Sequence, residues 1–389
     1  MSATPALPAP ELGPVRVFLA NHHEAVAGRT AALAEAFALR PEPTDDAAAR
    51  REARELLVAM GAAGALSPIG AMDWRGCCLA REALAAASPL ADAVFALQGL
   101  GLVPILLSGN AAMRERWLAP TLSGQAMAAF AMTEPDAGSD VAALKTRARR
   151  DGEHYVLDGT KHYISNAGLA DYYTVFAATD PSAGGRGISA FVVPADAPGV
   201  RFVRAQVLSS PHPLGELSFE GCRVPAENRL GDEGRGFALG LRTLDRLRAT
   251  VGAAACGMAA RALAEALAHA KARHQFGKPL AEQQLIQEKL ARMAVELTAS
   301  RLLVYRAAHV ADGGAERVTL EAAMAKLYAT EAAQRVIDDA VQVLGGAGVM
   351  AAHPVDRLYR SVRALRIYEG TSEVQHLVIA GLLLQGGRA

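Results

Sequence analysis

The spacing of hydrophobic positions changes character twice along the chain. From about residue 12 to 125, apolar positions recur with helical spacing in a background of Ala, Leu, Arg and Glu, which are good helix formers. Asp45 and Asp46 open a helix running through Arg51, Arg54 and Leu57. Asp73 to Ala87 and Pro89 to Leu107 predict two more, and Pro41 and Pro43 mark a loop. Ser108-Gly109-Asn110 ends one helix and begins the next, which carries Met113, Trp117 and Leu118. From Met127 the period falls to two. Strands are predicted at Phe130, Tyr155 to Leu157, Tyr172 to Ala177, Ile188 to Val193 and Glu216 to Phe219. Leu144, Thr146 and Ala148 alternate with Lys145, Arg147 and Arg149. Asp151-Gly152 and Asp158-Gly159 are turn dipeptides between such runs, so each predicts a hairpin. After Gly231-Asp232-Glu233-Gly234 the helical spacing returns. Ala238 to Arg273 is proline-free and alanine-rich, and its Gly252 and Gly257 predict close packing of helix axes. Leu280 to Ala311 and Leu320 to Leu344 supply two further long helices, and Gly345-Gly346-Ala347-Gly348 breaks the pattern. The expected class is α+β: an N-terminal helical domain at 1–126, a central antiparallel β domain at 127–229 and a C-terminal helical bundle at 230–389.

Composition narrows the function. A chain of 389 residues suffices for two or three domains around a large core. Acidic and basic side chains balance at 40 each, which argues against a nucleic-acid face or a polybasic membrane attachment. The four cysteines, Cys77, Cys78, Cys222 and Cys256, show no zinc spacing and are expected to be buried free thiols. Met1 to Pro5 lacks the basic and apolar segments of a secretory signal. No apolar run is expected to approach the ~20 residues of a membrane helix: the longest, Val94 to Leu107, is interrupted by Gln98, Gly99, Gly101 and Pro104. A soluble, cytoplasmic protein without nucleic-acid or membrane partners is expected.

Three stretches offer chemistry. In Arg366-Ile367-Tyr368-Glu369-Gly370-Thr371-Ser372-Glu373-Val374-Gln375, a carboxylate stands between an aromatic residue and a glycine that permits a tight turn. Thr371 and Ser372 can cap the helix announced by the apolar run from Val374 to Leu384. Glu369 therefore projects from a turn at a helix start, either toward a ligand or as a solvated linker residue. In Ala131-Met132-Thr133-Glu134-Pro135-Asp136-Ala137-Gly138-Ser139-Asp140, short hydroxyls sit on a constrained loop that reads equally as a β-turn with an Asx motif. In Lys161-His162-Tyr163-Ile164-Ser165-Asn166-Ala167-Gly168, a period of two puts Tyr163 and Ser165 on one face, an aromatic beside a hydroxyl that suits a flat heterocycle. His162 falls on the other face as an ordinary polar residue; the stretch also reads as a plain strand end.

Taken in order and spacing, Thr133-Glu134-Pro135, Ala137-Gly138-Ser139-Asp140, Ile164-Ser165-Asn166, Arg273-His274-Gln275-Phe276-Gly277-Lys278-Pro279, Gln342-Val343-Leu344-Gly345-Gly346-Ala347-Gly348 and Tyr368-Glu369-Gly370-Thr371-Ser372 resemble the acyl-CoA dehydrogenase family over almost the whole chain. The resemblance implies that the central domain is β-barrel-like, that the C-terminal bundle has four helices, and that FAD is the cofactor. It places Thr133 at the pyrimidine end of the flavin, Tyr163 against the ring where the family often has tryptophan, and Ser165 near N5. Thr371 and Glu373 match contacts to the nucleotide part. Arg273, Gln275, Phe276, Gln342 and Gly346 match positions that reach the FAD of a neighbouring subunit, which implies a homo-oligomer, in the family usually a tetramer. Ser139, Asp245, Arg248 and Gly370 match positions around the CoA substrate. Asp245 and Arg248 are also three apart on one helix face, so an intrahelical ion pair is the alternative; Arg246 is expected to face solvent. By resemblance Glu369 removes the α-proton, hydride passes to the flavin, and an electron-transferring flavoprotein takes the electrons. Leu247 stands where some members carry the base, which leaves Glu369 alone for that role.

The chain departs from the family in three places. Val207-Leu208-Ser209-Ser210-Pro211-His212-Pro213-Leu214 lacks the usual Gly-x-Arg element, Gly64 to Asp73 is compressed, and Ser361 follows Arg360 where aspartate is common. Phe95, Leu97 and Leu100 are candidates either for an acyl-tail pocket or for the core. An oxidase-like reaction with oxygen and a non-catalytic flavin-binding relative are the competing functions; the end of the chain soon after Leu384 and the presence of Glu369 weigh against them.

Overall fold

A computed structural model describes residues 5–386. Met1 to Thr4, which entered the expectation of no secretory signal, lie outside the described residues. Helices α1 (His22–Ala38), α2 (Asp46–Ala62), α3 (Ser67–Ala71), α4 (Trp74–Ala87), α5 (Pro89–Ser108) and α6 (Ala111–Leu122) come first. Strands β1 (Ala128–Ala131), β2 (Arg147–Asp151), β3 (His154–Ser165), β4 (Tyr172–Ala178), β5 (Ile188–Pro194), β6 (Val200–Ala205) and β7 (Leu214–Pro225) follow. Helices α7 (Gly236–Ala272), α8 (Gln284–Asp312), α9 (Thr319–Leu344), α10 (Pro354–Leu365) and α11 (Ser372–Leu384) close the chain, with the short hairpin β8 (His274–Gln275) and β9 (Lys278–Pro279) after α7. The helical, β, helical order is as expected. Asp45, Asp73, Asn110 and Thr371 each accept an N–H of the first turn of the helix they precede, which fixes four helix starts by local chemistry.

Contacts divide the chain into two units: residues 5–41, 73–92 and 245–386, and residues 42–72 and 93–244. The second holds the seven-stranded sheet, ordered β1-β4-β2-β3-β7-β6 with β5 on β4. The sheet is mixed, not purely antiparallel: β1 and β2 both pair parallel with β4. Every residue of β4 is buried, Thr174 included, which explains why it shows no in–out alternation. The predicted alternation from Leu144 to Arg149 holds, with Leu144, Thr146 and Ala148 buried and Lys145, Arg147 and Arg149 exposed. Asp151-Gly152 makes the β2–β3 hairpin, but Asp158-Gly159 lies inside β3, where the register against β7 shifts and forms a bulge.

Within this unit the Gln98 carboxamide accepts the Ala128 N–H at 3.0 Å, and Thr174 donates to the Gly101 carbonyl at 3.0 Å. Two of the residues that interrupt the apolar run of α5, Gln98 and Gly101, are thus its sheet contacts. Phe95, Leu97 and Leu100 are all buried. By length and composition α5 and α7 are long and apolar enough to cross a membrane, which corrects the expectation that no run approaches that length; both helices are mostly buried in the protein.

In the first unit the helices pack as closely as the small residues predicted. A Cβ on Gly252 would lie 2.7 Å from Val304 Cγ2, and one on Gly257 only 2.1 Å from the Glu82 carbonyl oxygen. Buried charges are paired: Glu82 accepts from Arg301 at 2.7 Å and from the Tyr305 hydroxyl at 2.9 Å. All four cysteines are buried and free, and burial holds their thiols above the usual range.

Candidate active site

After α10 the backbone closes a short loop, with the Ser372 N–H donating to the Arg366 carbonyl at 3.1 Å. Glu331 of α9 pins both ends, accepting from Arg366 Nε at 2.7 Å and from the Ser372 hydroxyl at 2.5 Å. Inside the loop Glu369 has φ 54° and Gly370 φ 92°. A left-handed glutamate costs about 1–2 kcal/mol, so the surroundings must hold it. They do so through its carbonyl, which accepts from Arg248 Nε at 3.2 Å and from Gln375 Nε2 at 3.3 Å. The Gly370 carbonyl accepts from Lys326 Nζ at 2.7 Å and Gln375 Nε2 at 3.0 Å. A Cβ on Gly370 would meet Gln375 Nε2 at 2.4 Å.

The Glu369 side chain is left free by this arrangement. Its Oε2 is shut off from solvent and meets no hydrogen-bond partner. Burial raises its pKa; Arg81, Lys326 and Arg248 oppose the rise and Asp92 adds to it. Arg81 is itself buried, its Nε and Nη2 held by Asp92 at 2.7 and 2.8 Å and its Nη1 by Thr250 at 3.0 Å. The Tyr368 hydroxyl is likewise pushed up by burial, against the pull of Arg81. An isolated carboxyl with a raised pKa, surrounded by cations that favour its ionised form, has the properties of a general base.

The predicted Asp245–Arg248 ion pair is present, and Asp245 Oδ2 accepts from the Thr319 hydroxyl at 2.6 Å as well. Arg246 does not face open solvent, contrary to expectation: its guanidinium donates to the carbonyls of Ala311 at 3.3 Å and Ala315 at 2.8 Å, at the end of α8. Thr371 caps α11, and Glu373 is exposed in its first turn. Arg273, Gln275, Phe276, Gln342 and Gly346 are exposed, Phe276 at 93%.

In the other unit, β3 bulges a second time between Lys161 and Ile164, and Tyr163 takes φ 54°. The period-two argument that put Tyr163 and Ser165 on one face therefore fails at the bulge. The bulge instead turns the Tyr163 ring outward, 61% exposed, while Lys161 and Ile164 are both buried. Thr133 is brought to this place by its carbonyl, which accepts the His162 N–H at 2.9 Å. Below it, buried Lys161 donates to Met132 O at 3.1 Å and to Glu134 at 2.8 Å. Burial lowers the Lys161 pKa to about 8, against the pull of Glu134. Glu134 in turn accepts the N–H groups of Lys145 and Thr146. The loop is also the turn that the alternative reading foresaw, with Glu134 and Ala137 exchanging backbone hydrogen bonds; Ser139 is exposed on it. The Ser165 hydroxyl lies 2.8 Å from His212 Nε2. His162 is more than an ordinary polar residue: its Nδ1 is buried and unpartnered, and its ring packs 4.4 Å from that of Tyr163.

Residues 129–222 match the model for the acyl-CoA dehydrogenase middle domain, and residues 234–384 that for the acyl-CoA dehydrogenase C-terminal domain. The chain is 41% identical over 338 residues to the mitochondrial short-chain specific acyl-CoA dehydrogenase of Mus musculus, covering 86% of this chain and 81% of the relative. This chain belongs to the acyl-CoA dehydrogenase family. Butyryl-CoA dehydrogenase of Megasphaera elsdenii superposes with a TM-score of 0.86 at 35% identity, over 94% of this chain and 99% of that one. A chain solved in work on the electron-transferring flavoprotein of Acidaminococcus fermentans and flavin-based electron bifurcation gives a TM-score of 0.87, also at 35% identity, over 94% and 99% of the two chains.

Family membership makes the chain an oxidoreductase and implies FAD. Its residues fit a flavin: the outward aromatic face of Tyr163, next in the chain to His162 whose N–H holds the half-buried Thr133, can receive a flat heteroaromatic ring. Sequence reasoning missed Arg81, Asp92, Lys326, Gln375 and His212. Lys326 carried a signal, since it lies on the apolar stripe Ala322, Ala329 and Ala333 of α9. Arg81 sits likewise in an otherwise small and apolar run. Nothing in the sequence marked Gln375 or His212.

Proposed function

We propose that this chain dehydrogenates a short acyl-CoA between Cα and Cβ, giving the trans-2-enoyl-CoA, with Glu369 as the base that takes the α-proton. The observation that carries this reading is the Glu369 carboxyl, its Oε2 shut off from solvent and unpartnered, set on a left-handed turn. An α-proton beside a thioester is weakly acidic, so its removal needs a base with a raised pKa in a water-poor site. FAD, when bound, supplies the acceptor for the β-hydride. Thr133, Tyr163 and Ser165 hold the flavin, and Thr371 and Glu373 contact the nucleotide part. Ser139, Arg248, Asp245 and Gly370 serve the CoA substrate, Arg248 and Asp245 by fixing the turn that carries the base. The short acyl chain is suggested by the relatives named for short-chain and butyryl substrates. Transfer of electrons to an electron-transferring flavoprotein is supported by the structural neighbour studied with such a protein. Arg273, Gln275, Phe276, Gln342 and Gly346 face a neighbouring subunit in a homotetramer, which their exposure supports. A cytoplasmic setting fits four buried free thiols.

The test is anaerobic bleaching of the flavin absorbance over a panel of acyl-CoAs from C2 to C12, branched and cyclic chains included. Bleaching by short chains, lost in Glu369→Gln, supports the reading. A yellow protein that no acyl-CoA bleaches marks a non-catalytic relative, and rapid reoxidation in air marks an oxidase.

A further inference from the structure

Three side chains from three helices end on two consecutive carbonyls: Arg248 of α7 on Glu369, Lys326 of α9 on Gly370, and Gln375 of α11 on both. These donors fix the direction of both carbonyls and hence the plane of the peptide that joins Glu369 to Gly370. Lys326 makes the shortest of the four contacts, and it is charge-assisted. It is also an expensive donor to place there. Its residue has no exposed surface, and among the described residues it forms no ion pair. An ammonium buried on a backbone oxygen is disfavoured against an aliphatic residue of the same size unless it serves something else.

We propose that Lys326 is a positioning residue for the catalytic base: its ammonium, hydrogen-bonded to the Gly370 carbonyl, holds the Tyr368-Glu369-Gly370 turn in its left-handed form and so sets the direction of the Glu369 carboxyl. The inference rests on Glu369 being the base. The charges facing the carboxyl are Arg81 from α4, Asp92 from α5, Arg248 from α7 and Lys326 from α9. Those facing Lys326 are Glu369, Arg248, Glu331 and Glu373. Lys326 is thus one of three cations that favour ionised Glu369, while burial lowers its own pKa to about 8. Its removal acts on Glu369 twice, through the freedom of the turn and through the lost charge.

Lys326→Met in the purified holoenzyme tests both. FAD content should stay at the wild-type level. Hydrogen–deuterium exchange of the amides from Gly370 to Ser372 should accelerate about tenfold or more, the scale of one lost charge-assisted hydrogen bond. The value of kcat should fall about 10- to 100-fold with little change in KM, and the acid limb of the kcat profile should move to higher pH. Unchanged exchange together with an unmoved acid limb overturns the proposal. Should the Met variant fail to fold, Lys326→Gln, which keeps an N–H donor without the charge, reads the same limb: a shift upward supports the proposal and no shift overturns it. Glu369→Gln separates the two layers. If that variant turns over at the wild-type rate, the base assignment falls even where the exchange result stands.

Discussion

The Glu369 carboxyl is the proposed base, and its surroundings set the terms of two predictions. Glu369→Gln preserves volume and the turn, so FAD content and fold should be unchanged while turnover falls by about 10³-fold or more, at the upper range of general base catalysis. Titrating the bound flavin and measuring kcat on one sample checks both; substantial residual turnover would remove Glu369 from the role. The second prediction concerns pH. Burial raises the Glu369 pKa, so on the proposed reading this carboxyl acts as base only once it has lost a proton that it holds more tightly than an ordinary glutamate does. The limb of kcat/KM should therefore fall as pH drops through a value above 4.5, the ordinary glutamate value. A limb at or below it would show that the carboxyl is solvated in the working enzyme. The carboxylate between tyrosine and glycine was visible in the sequence because its neighbours in the chain make the turn. Of its cations only Arg248 was named, through the family resemblance; Arg81 and Lys326 arrive from two other helices and no local pattern links them to the turn.

At the scale of elements, β3 shows where pattern reading stops. Alternation identified the strand, and Asp-Gly correctly gave the first hairpin. The second Asp-Gly is a bulge because Gly159, at φ 152°, brings its backbone against Thr146; a Cβ there would stand 2.5 Å from Thr146 Oγ1. A bulge inserts one residue and shifts the phase of the alternation, so a strict period of two carried through it misplaces the side chains beyond. Gly159→Val should lower the thermal midpoint by several degrees through this clash, whereas Gly152→Ala, at a turn with open space around it, should cost less. Equal losses would mean that the bulge is not held by Thr146. The loop before β7 offers a pH test of stability. His212 is half-buried against Ser165 with its Nδ1 shut off from solvent, and desolvation, with Arg50 nearby, lowers its pKa to about 4. The unfolded chain takes up a proton near pH 6.5 that the folded chain refuses. Stability is therefore fully present above that pH and falls, by at most about 1.4 kcal/mol per unit, between about 6.5 and 4. His212→Gln should flatten this part of the curve in thermal melts; equal slopes would show that His212 titrates normally.

For the whole molecule, the order of helical, β and helical regions was legible because each region keeps one hydrophobic period over many residues. The division of contacts was not, since 73–92 joins the residues from 245 onward through pairs such as Glu82 with Arg301 that are more than 200 positions apart. A cost that the single chain leaves unmet lies at its surface. Phe276 at 93% exposure and Leu285 at 80% stand at the hairpin and the helix start that follow α7. Phe276 also adopts φ 54°, a conformation that a bulky side chain rarely takes without something to hold it. A phenylalanine held out in this way loses about 2–3 kcal/mol of available burial, and in a symmetric assembly the loss recurs at each copy of the contact. On the proposed reading a neighbouring subunit covers Phe276, removing this cost and placing the ring at that subunit's FAD. Phe276→Asp should then do two things at once: shift the mass in light scattering toward smaller species and lower the FAD retained after gel filtration. A variant with wild-type mass and full FAD would take Phe276 out of the interface, and one that dissociates yet keeps its FAD would separate assembly from cofactor binding.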